Sequence, residues 1–161
     1  MCGISGIFGR QNKNQILNLV RAQDHRGPDS SAVIFGNGFS LGFNRLSIID
    51  LHDRAMQPFL SNDKKKILVF NGEIYNYENI KKKYFSNYKF RTKSDTEVLM
   101  VSLEKWGIAA LEKLSGMFSF CYIDQKKREA YIARDRFGQK PLYFSKKKDS
   151  FTFASEIKAL L

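Results

Sequence analysis

At 161 residues, 43% hydrophobic and 27% charged, the chain has the length and composition of one globular domain, which excludes disorder and coiled coil. Its two cysteines, Cys2 and Cys121, exclude a disulfide framework or a structural zinc, and no apolar run reaches the roughly 18 residues of a spanning helix or marks a leader, so a cytoplasmic protein with no membrane partner is expected. The charge of +11 raises nucleic acid, but the excess lies in short lysine runs (64–66, 81–83, 146–148) while the aromatics fall inside apolar runs, so no nucleic-acid partner is expected.

The chain opens on a strand, CGISGIF, that includes residue 2; termini fray unless held, so the N-terminus is expected to be built into the core. A helix-like NQILNLVRAQ follows, then the loop HRGPDS and strand signals in SSAVIF, LGFNRLSIID and KKILVFNG. YENIKKKYF reads as a helix. SDTEVLMVSLEKWG reads as another, with a capping box of Ser94 and Glu97 at its start and Gly107 as its stop. Strands return in GMFSFCYID, EAYIARD, PLYFS and SFTFAS, before a helical start at SEIKALL. The runs MFSFCYI and ILVF are apolar at both alternate positions, so both sheet faces must be covered. Stacked sheets flanked by helices, an α+β arrangement in one domain spanning 1–161, fit this order better than a doubly wound parallel sheet.

No GxGxxG or GxxxxGK[ST] loop offers a phosphate cradle, and His25 and His52 lack metal-ligand spacing, so this domain is expected to use no cofactor and no metal; both histidines read as loop hydrogen-bonding groups. Cys2 directly follows Met1, and a small second residue permits Met1 removal. The mature chain would then join a thiol and a free α-amine in one residue, a nucleophile with its own base. A small thiol packed in the first strand is the structural reading of the same residue. Cys121, between apolar neighbours, reads as core.

MCGISGIFG resembles the start of class II glutamine amidotransferase domains, members of the N-terminal-nucleophile hydrolases. HRGPDSS, NRLSIIDL, AMQPF, LVFNGEIYNY, KSDTEVL, GMFSFCYID, RDRFGQKPLYF and FASEIKALL follow in the order seen in the glutaminase domain of glutamine-hydrolysing asparagine synthetases, over essentially the whole chain. The resemblance implies a four-layer αββα sandwich and hydrolysis of L-glutamine to L-glutamate and ammonia through a Cys2 thioester. It implies Asn71 and Gly72 as the oxyanion hole, although Asn-Gly taken alone is a hairpin-turn pair. It implies Arg45 on the α-carboxylate of glutamine, with Leu46, Ser47, Ile48 and Ile49 as a backbone wall, and Glu73 and Asp95 around the α-ammonium. Arg26, Gly27, Pro28 and Asp29 resemble the family's RGPD loop, which implies that they shape the site; a structural turn is the other reading of the same residues. Asn44 stands where the family more often has a basic residue, at the rim of the pocket.

The partner implied is a C-terminal synthetase domain, in cis or as a subunit, that uses ATP and Mg to make asparagine from aspartate; a homodimer is expected of the full-length protein. A related amidotransferase with another ammonia acceptor, and a non-catalytic glutamine-sensing domain, are the alternatives.

Overall fold

The computed structural model describes residues 1–10, 12–46 and 56–161. Two antiparallel sheets lie face to face between helices. The first is ordered β2-β3-β1-β9-β8, from Ser30–Gly36 (β2), Phe39–Arg45 (β3), Gly3–Gly9 (β1), Ser150–Ala154 (β9) and Tyr143–Lys147 (β8). The second is ordered β4-β5-β6-β7, from Phe59–Leu60 (β4), Lys66–Ile74 (β5), Gly116–Asp124 (β6) and Glu129–Arg134 (β7).

Side-chain alternation along the strands sets the layers. Ile4 of β1 meets Phe39, Leu41 and Phe43 of β3 and, across the gap, Ile67 and Val69 of β5 with Cys121 and Ile123 of β6. The intervening residues of the second sheet, Leu68, Phe70, Phe118, Phe120 and Tyr122, face the opposite way onto α2 (Tyr77–Tyr84) and α3 (Asp95–Trp106). On the far side of the first sheet, Ile7 packs on Ile16 and Leu19 of α1 (Lys13–Arg21). The result is the four-layer αββα sandwich of the expected α+β class, and the doubly apolar strands are those with a core on each face.

Local signals and tertiary context part company in several places. Ser94 caps α3 by accepting from the Thr96 N–H, which stabilises a helix by about 1 kcal/mol. Glu97 does not close the expected box. The Thr92 hydroxyl takes the Ser94 N–H, and the Glu97 carboxylate reaches past it to the backbone N–H groups of Arg91 and Thr92. The last segment makes only a 3-10 turn, Ile157–Ala159. A further 3-10 run, Gly107–Lys113, and the short strand β4 add to the expected elements. The strand expected to continue to residue 50 is β3, which ends at Arg45, and residues 47–50 lie outside the described part of the chain.

Candidate active site

The N-terminus is indeed part of the sheet: β1 lies between β3 and β9, and Gly3 is paired with Asn44. Cys2 extends one residue past that pair and meets the end of β3. Its thiol lies 3.6 Å from the Leu46 carbonyl, to which it donates, and it accepts from the Leu46 N–H at 3.5 Å. The side chain is half-buried against the inter-sheet core. Burial pushes the Cys2 thiol pKa up, while the Leu46 N–H, the chain's terminal amine, Arg45 and Arg26 pull it back in part.

Arg26 is buried and donates from Nε to the Cys2 carbonyl at 3.0 Å. The Arg26–Asp29 segment hugs β3: a Cβ on Gly27 would sit 2.4 Å from the Asn44 carbonyl, the Asp29 N–H donates to the Arg45 carbonyl, and Pro28 bridges Arg45. Glycine is what that close approach requires. Arg45 is itself buried. Asn44 is turned into the α1 side, donating to the Val20 carbonyl and the Asp24 carboxylate. His25 does hydrogen-bond in its loop, to Glu156 at 3.3 Å.

The second sheet contributes the other half. Asn71 and Gly72 form no turn; they lie within β5, paired with Ser119 and Phe118. Asn71 shares its face with Ile67 and Val69, so its amide points into the inter-sheet space, where Nδ2 is buried without a hydrogen-bond partner among the described residues. Orphaned buried donors are rare and call for an acceptor.

Gly72 is forced by β6, since a Cβ there would lie 2.2 Å from the Met117 carbonyl. Its N–H faces the other edge of β5. Phe70 and Ile74, two residues either side, send their N–H groups to the side chains of Gln57 (2.6 Å) and Asp95 (2.9 Å) on that edge, and strand parity puts Gly72 between them. Gln57 also donates to the Phe70 carbonyl, closing the edge like a single strand residue.

Asp95, the first residue of α3, is buried, and burial pushes its carboxyl pKa up against the N–H groups of Ile74 and Thr96 and the Ser94 hydroxyl, with nearby Glu73 adding to the rise. Glu73 is half-buried on the same strand.

The two halves meet through the RDRFGQKP segment. Asp135 accepts four backbone N–H groups, from Phe118, Phe137, Gln139 and Lys140, and these donors outweigh burial to hold its carboxyl pKa down. That cradle sets Pro141 beside Ser119, the partner of Asn71, with 3.4 Å from the Ser119 hydroxyl to the Pro141 carbonyl. It also buries Lys140, whose Nζ stands 3.4 Å from the Met1 sulfur.

Cys2, Arg26, Arg45 and Leu46 thus gather at the end of the first sheet, and Asn71, Gly72 and Glu73 of the second sheet lie with Asp95 at the head of α3; Ser47, Ile48, Ile49 and His52 lie outside the described residues. Gln57, Asp135, Lys140 and Glu156 were not singled out in the sequence. Each nevertheless lies in a motif that carries the family resemblance: Gln57 in AMQPF, Asp135 and Lys140 in RDRFGQKPLYF, and Glu156 in FASEIKALL.

Comparison with known proteins gives the family and the fold. A family model described as a glutamine amidotransferase domain matches residues 1–161. A putative glutamine-hydrolysing asparagine synthetase of Methanocaldococcus jannaschii is 37% identical over 100% of this chain and 35% of its own length. Asparagine synthetase B of Escherichia coli is 36% identical over 100% of this chain and 30% of its own. The chain therefore spans about a third of these relatives. Among solved structures, the glutamine phosphoribosylpyrophosphate amidotransferase of Bacillus subtilis superimposes with a TM-score of 0.82 over 99% of this chain and 43% of that one, at 23% identity, a likeness of fold.

Proposed function

The chain belongs to the glutamine amidotransferase domain family, and from that premise we propose that its residues hydrolyse L-glutamine to L-glutamate and ammonia through a thioester on Cys2. Removal of Met1 frees the Cys2 α-amine. With a pKa near 7.7 to 8.0 for such an amine, roughly a tenth or more is neutral at physiological pH and accepts the thiol proton. The thiolate attacks the side-chain amide carbon of glutamine. The tetrahedral oxyanion is held by the Asn71 amide and the Gly72 N–H, and on its collapse the C–N bond breaks, with the proton passing to the leaving nitrogen. Water then cleaves the thioester, releasing glutamate and restoring the thiol.

Arg45 grips the α-carboxylate with a planar fork, while Glu73 and Asp95 receive the α-ammonium. The buried, unpartnered Asn71 Nδ2 beside the Gly72 N–H supports this reading most directly. The ammonia passes to aspartate, activated with ATP and Mg by a synthetase domain outside these residues, in keeping with the relatives' names.

Intact mass of the purified chain, with and without 6-diazo-5-oxo-norleucine, tests it. The expected outcome is a chain lacking Met1 that takes one label on Cys2 and is protected by excess glutamine. A chain without Met1 that takes no label, or a label that glutamine does not prevent, overturns it.

A further inference from the structure

The backbone at Cys2 lies outside the β1 ladder, which begins at Gly3. Among the described residues the Cys2 carbonyl is held by Arg26 Nε at 3.0 Å. Once Met1 is gone that carbonyl belongs to the terminal residue, which frays unless tied. The guanidinium that ties it is aimed from elsewhere. Arg26 Nη1 donates to Glu156 Oε1 at 2.8 Å; among the described residues Nη2 is buried without a partner and Glu156 is the one carboxylate paired with Arg26.

Glu156 is itself fixed. Ser155 beside it accepts the Ile4 N–H on its hydroxyl at 3.0 Å, donates its own N–H to the Ile4 carbonyl at 2.9 Å, and is gripped by the Gln23 side chain at 3.0 Å. Ile4, Ser155, Glu156, Arg26 and Cys2 form a closed ring of contacts through residues about 150 positions apart in the chain. His25 Nε2 also meets Glu156 Oε1, and Lys158 Nζ lies 3.4 Å from His25 Nδ1; the Glu156 carboxyl pKa is held down chiefly by the Arg26 hydrogen bond.

We propose that Glu156 is a positioning residue for Cys2, acting through Arg26 to fix the terminal carbonyl and with it the direction of the thiol. The proposal rests on the reading of Cys2 as nucleophile. A guanidinium with one of its two ends released rotates about its stem, and a displacement of about 1 Å at a nucleophile costs on the order of 100-fold in rate. Glu156 meets Cys2 through Arg26, so its loss should slow attack and leave binding alone.

The test is a double-mutant cycle on the full chain, reading the rate of Cys2 labelling by 6-diazo-5-oxo-norleucine against reagent concentration. Glu156→Ala and Arg26→Met should each lower the saturating rate about 10-fold or more with the half-saturation concentration within roughly twofold, and the double variant should be no slower than the slower single one. A wild-type rate for Glu156→Ala, or effects that add in full, would overturn the proposal. Should the alanine variant fail to fold, Glu156→Gln and Glu156→Met fill similar volume with and without an acceptor; the glutamine variant should label faster, and equal rates overturn the proposal. Absence of labelling in the wild-type chain would count instead against the parent reading of Cys2.

Discussion

The Cys2 corner and the Asn71 corner face each other across the sandwich, and they are prepared in opposite ways. At Cys2 the reactive group is occupied: its thiol both donates to and accepts from the Leu46 backbone. At Asn71 the amide donor has no partner among the described residues, although the edge on either side of Gly72 is closed by Gln57 and Asp95. A satisfied nucleophile must leave its contacts to react, whereas an unsatisfied donor has paid its desolvation in advance and gains when an oxyanion arrives. On the proposed reading, this asymmetry assigns transition-state binding to the second sheet and bond formation to the first.

Removing the occupied group gives the largest effect. Cys2→Ala should take glutamine hydrolysis down to background and abolish labelling by 6-diazo-5-oxo-norleucine, as read by intact mass. Cys121 should not substitute, because burial between the sheets pushes its thiol pKa far up and closes it to reagents. Labelling of Cys121 in the variant would break the contrast between the two thiols.

Asn71→Ala tests the opposite corner. Loss of one oxyanion donor should lower kcat by about 10²–10³ with a much smaller change in KM. Because the deleted Nδ2 makes no hydrogen bond to any described residue, the melting temperature should move little. A large loss of stability with a modest loss of rate would mean that the amide serves the fold.

This difference also explains what the sequence could reveal. The sandwich was legible because ILVF and MFSFCYI carry apolar residues on both faces, and each face has its own core. The role proposed for Asn71-Gly72 was not legible from the pair itself. The same dipeptide at Asn37-Gly38 does sit between β2 and β3, with Gly38 at a φ of 78°, and only the pairing with β6 tells the two apart. Resemblance to a family supplied the roles, and the register supplied the reason. Gln57, Lys140 and Glu156 escaped sequence reasoning because their partners are far away in the chain: Phe70, Met1 and Arg26. No local periodicity encodes such contacts.

Gly72→Ala should sharpen the comparison through the backbone. The added Cβ meets the Met117 carbonyl at 2.2 Å and the Phe118 Cα at 2.6 Å, so β5 and β6 must part, at a cost of about 1–3 kcal/mol. Urea unfolding should show that loss, and hydrolysis should fall with it as the N–H leaves its place. Full activity at reduced stability would remove the Gly72 N–H from the site while leaving the Asn71 amide in it.

The smallest effect is the most discriminating, because Asp95→Asn should move binding and stability in opposite directions. The carboxylate is buried at the head of α3, and its folded pKa is raised above the ordinary 3.8, first by burial. Below that unfolded value the group is neutral in both states and costs nothing. As pH rises through the folded value, the unfolded chain ionises more readily, and the native state loses stability that it does not recover at higher pH. Asparagine removes the charge, and its side-chain oxygen can still accept the Ile74 N–H. The helix dipole, which favours an acid in the first turn by about 0.3–1 kcal/mol, returns only part of the difference. Asp95→Asn should therefore melt higher than wild type at pH 7 to 8, with the gain shrinking as pH falls toward 3.8. Its KM for glutamine should rise about tenfold or more, the scale of a lost charge-assisted hydrogen bond to the α-ammonium. A residue whose ionised form weakens the fold yet tightens substrate binding is held there for the ligand. If thermal melts instead show wild type the more stable at neutral pH, Asp95 is a helix cap and Glu73 alone must receive the ammonium.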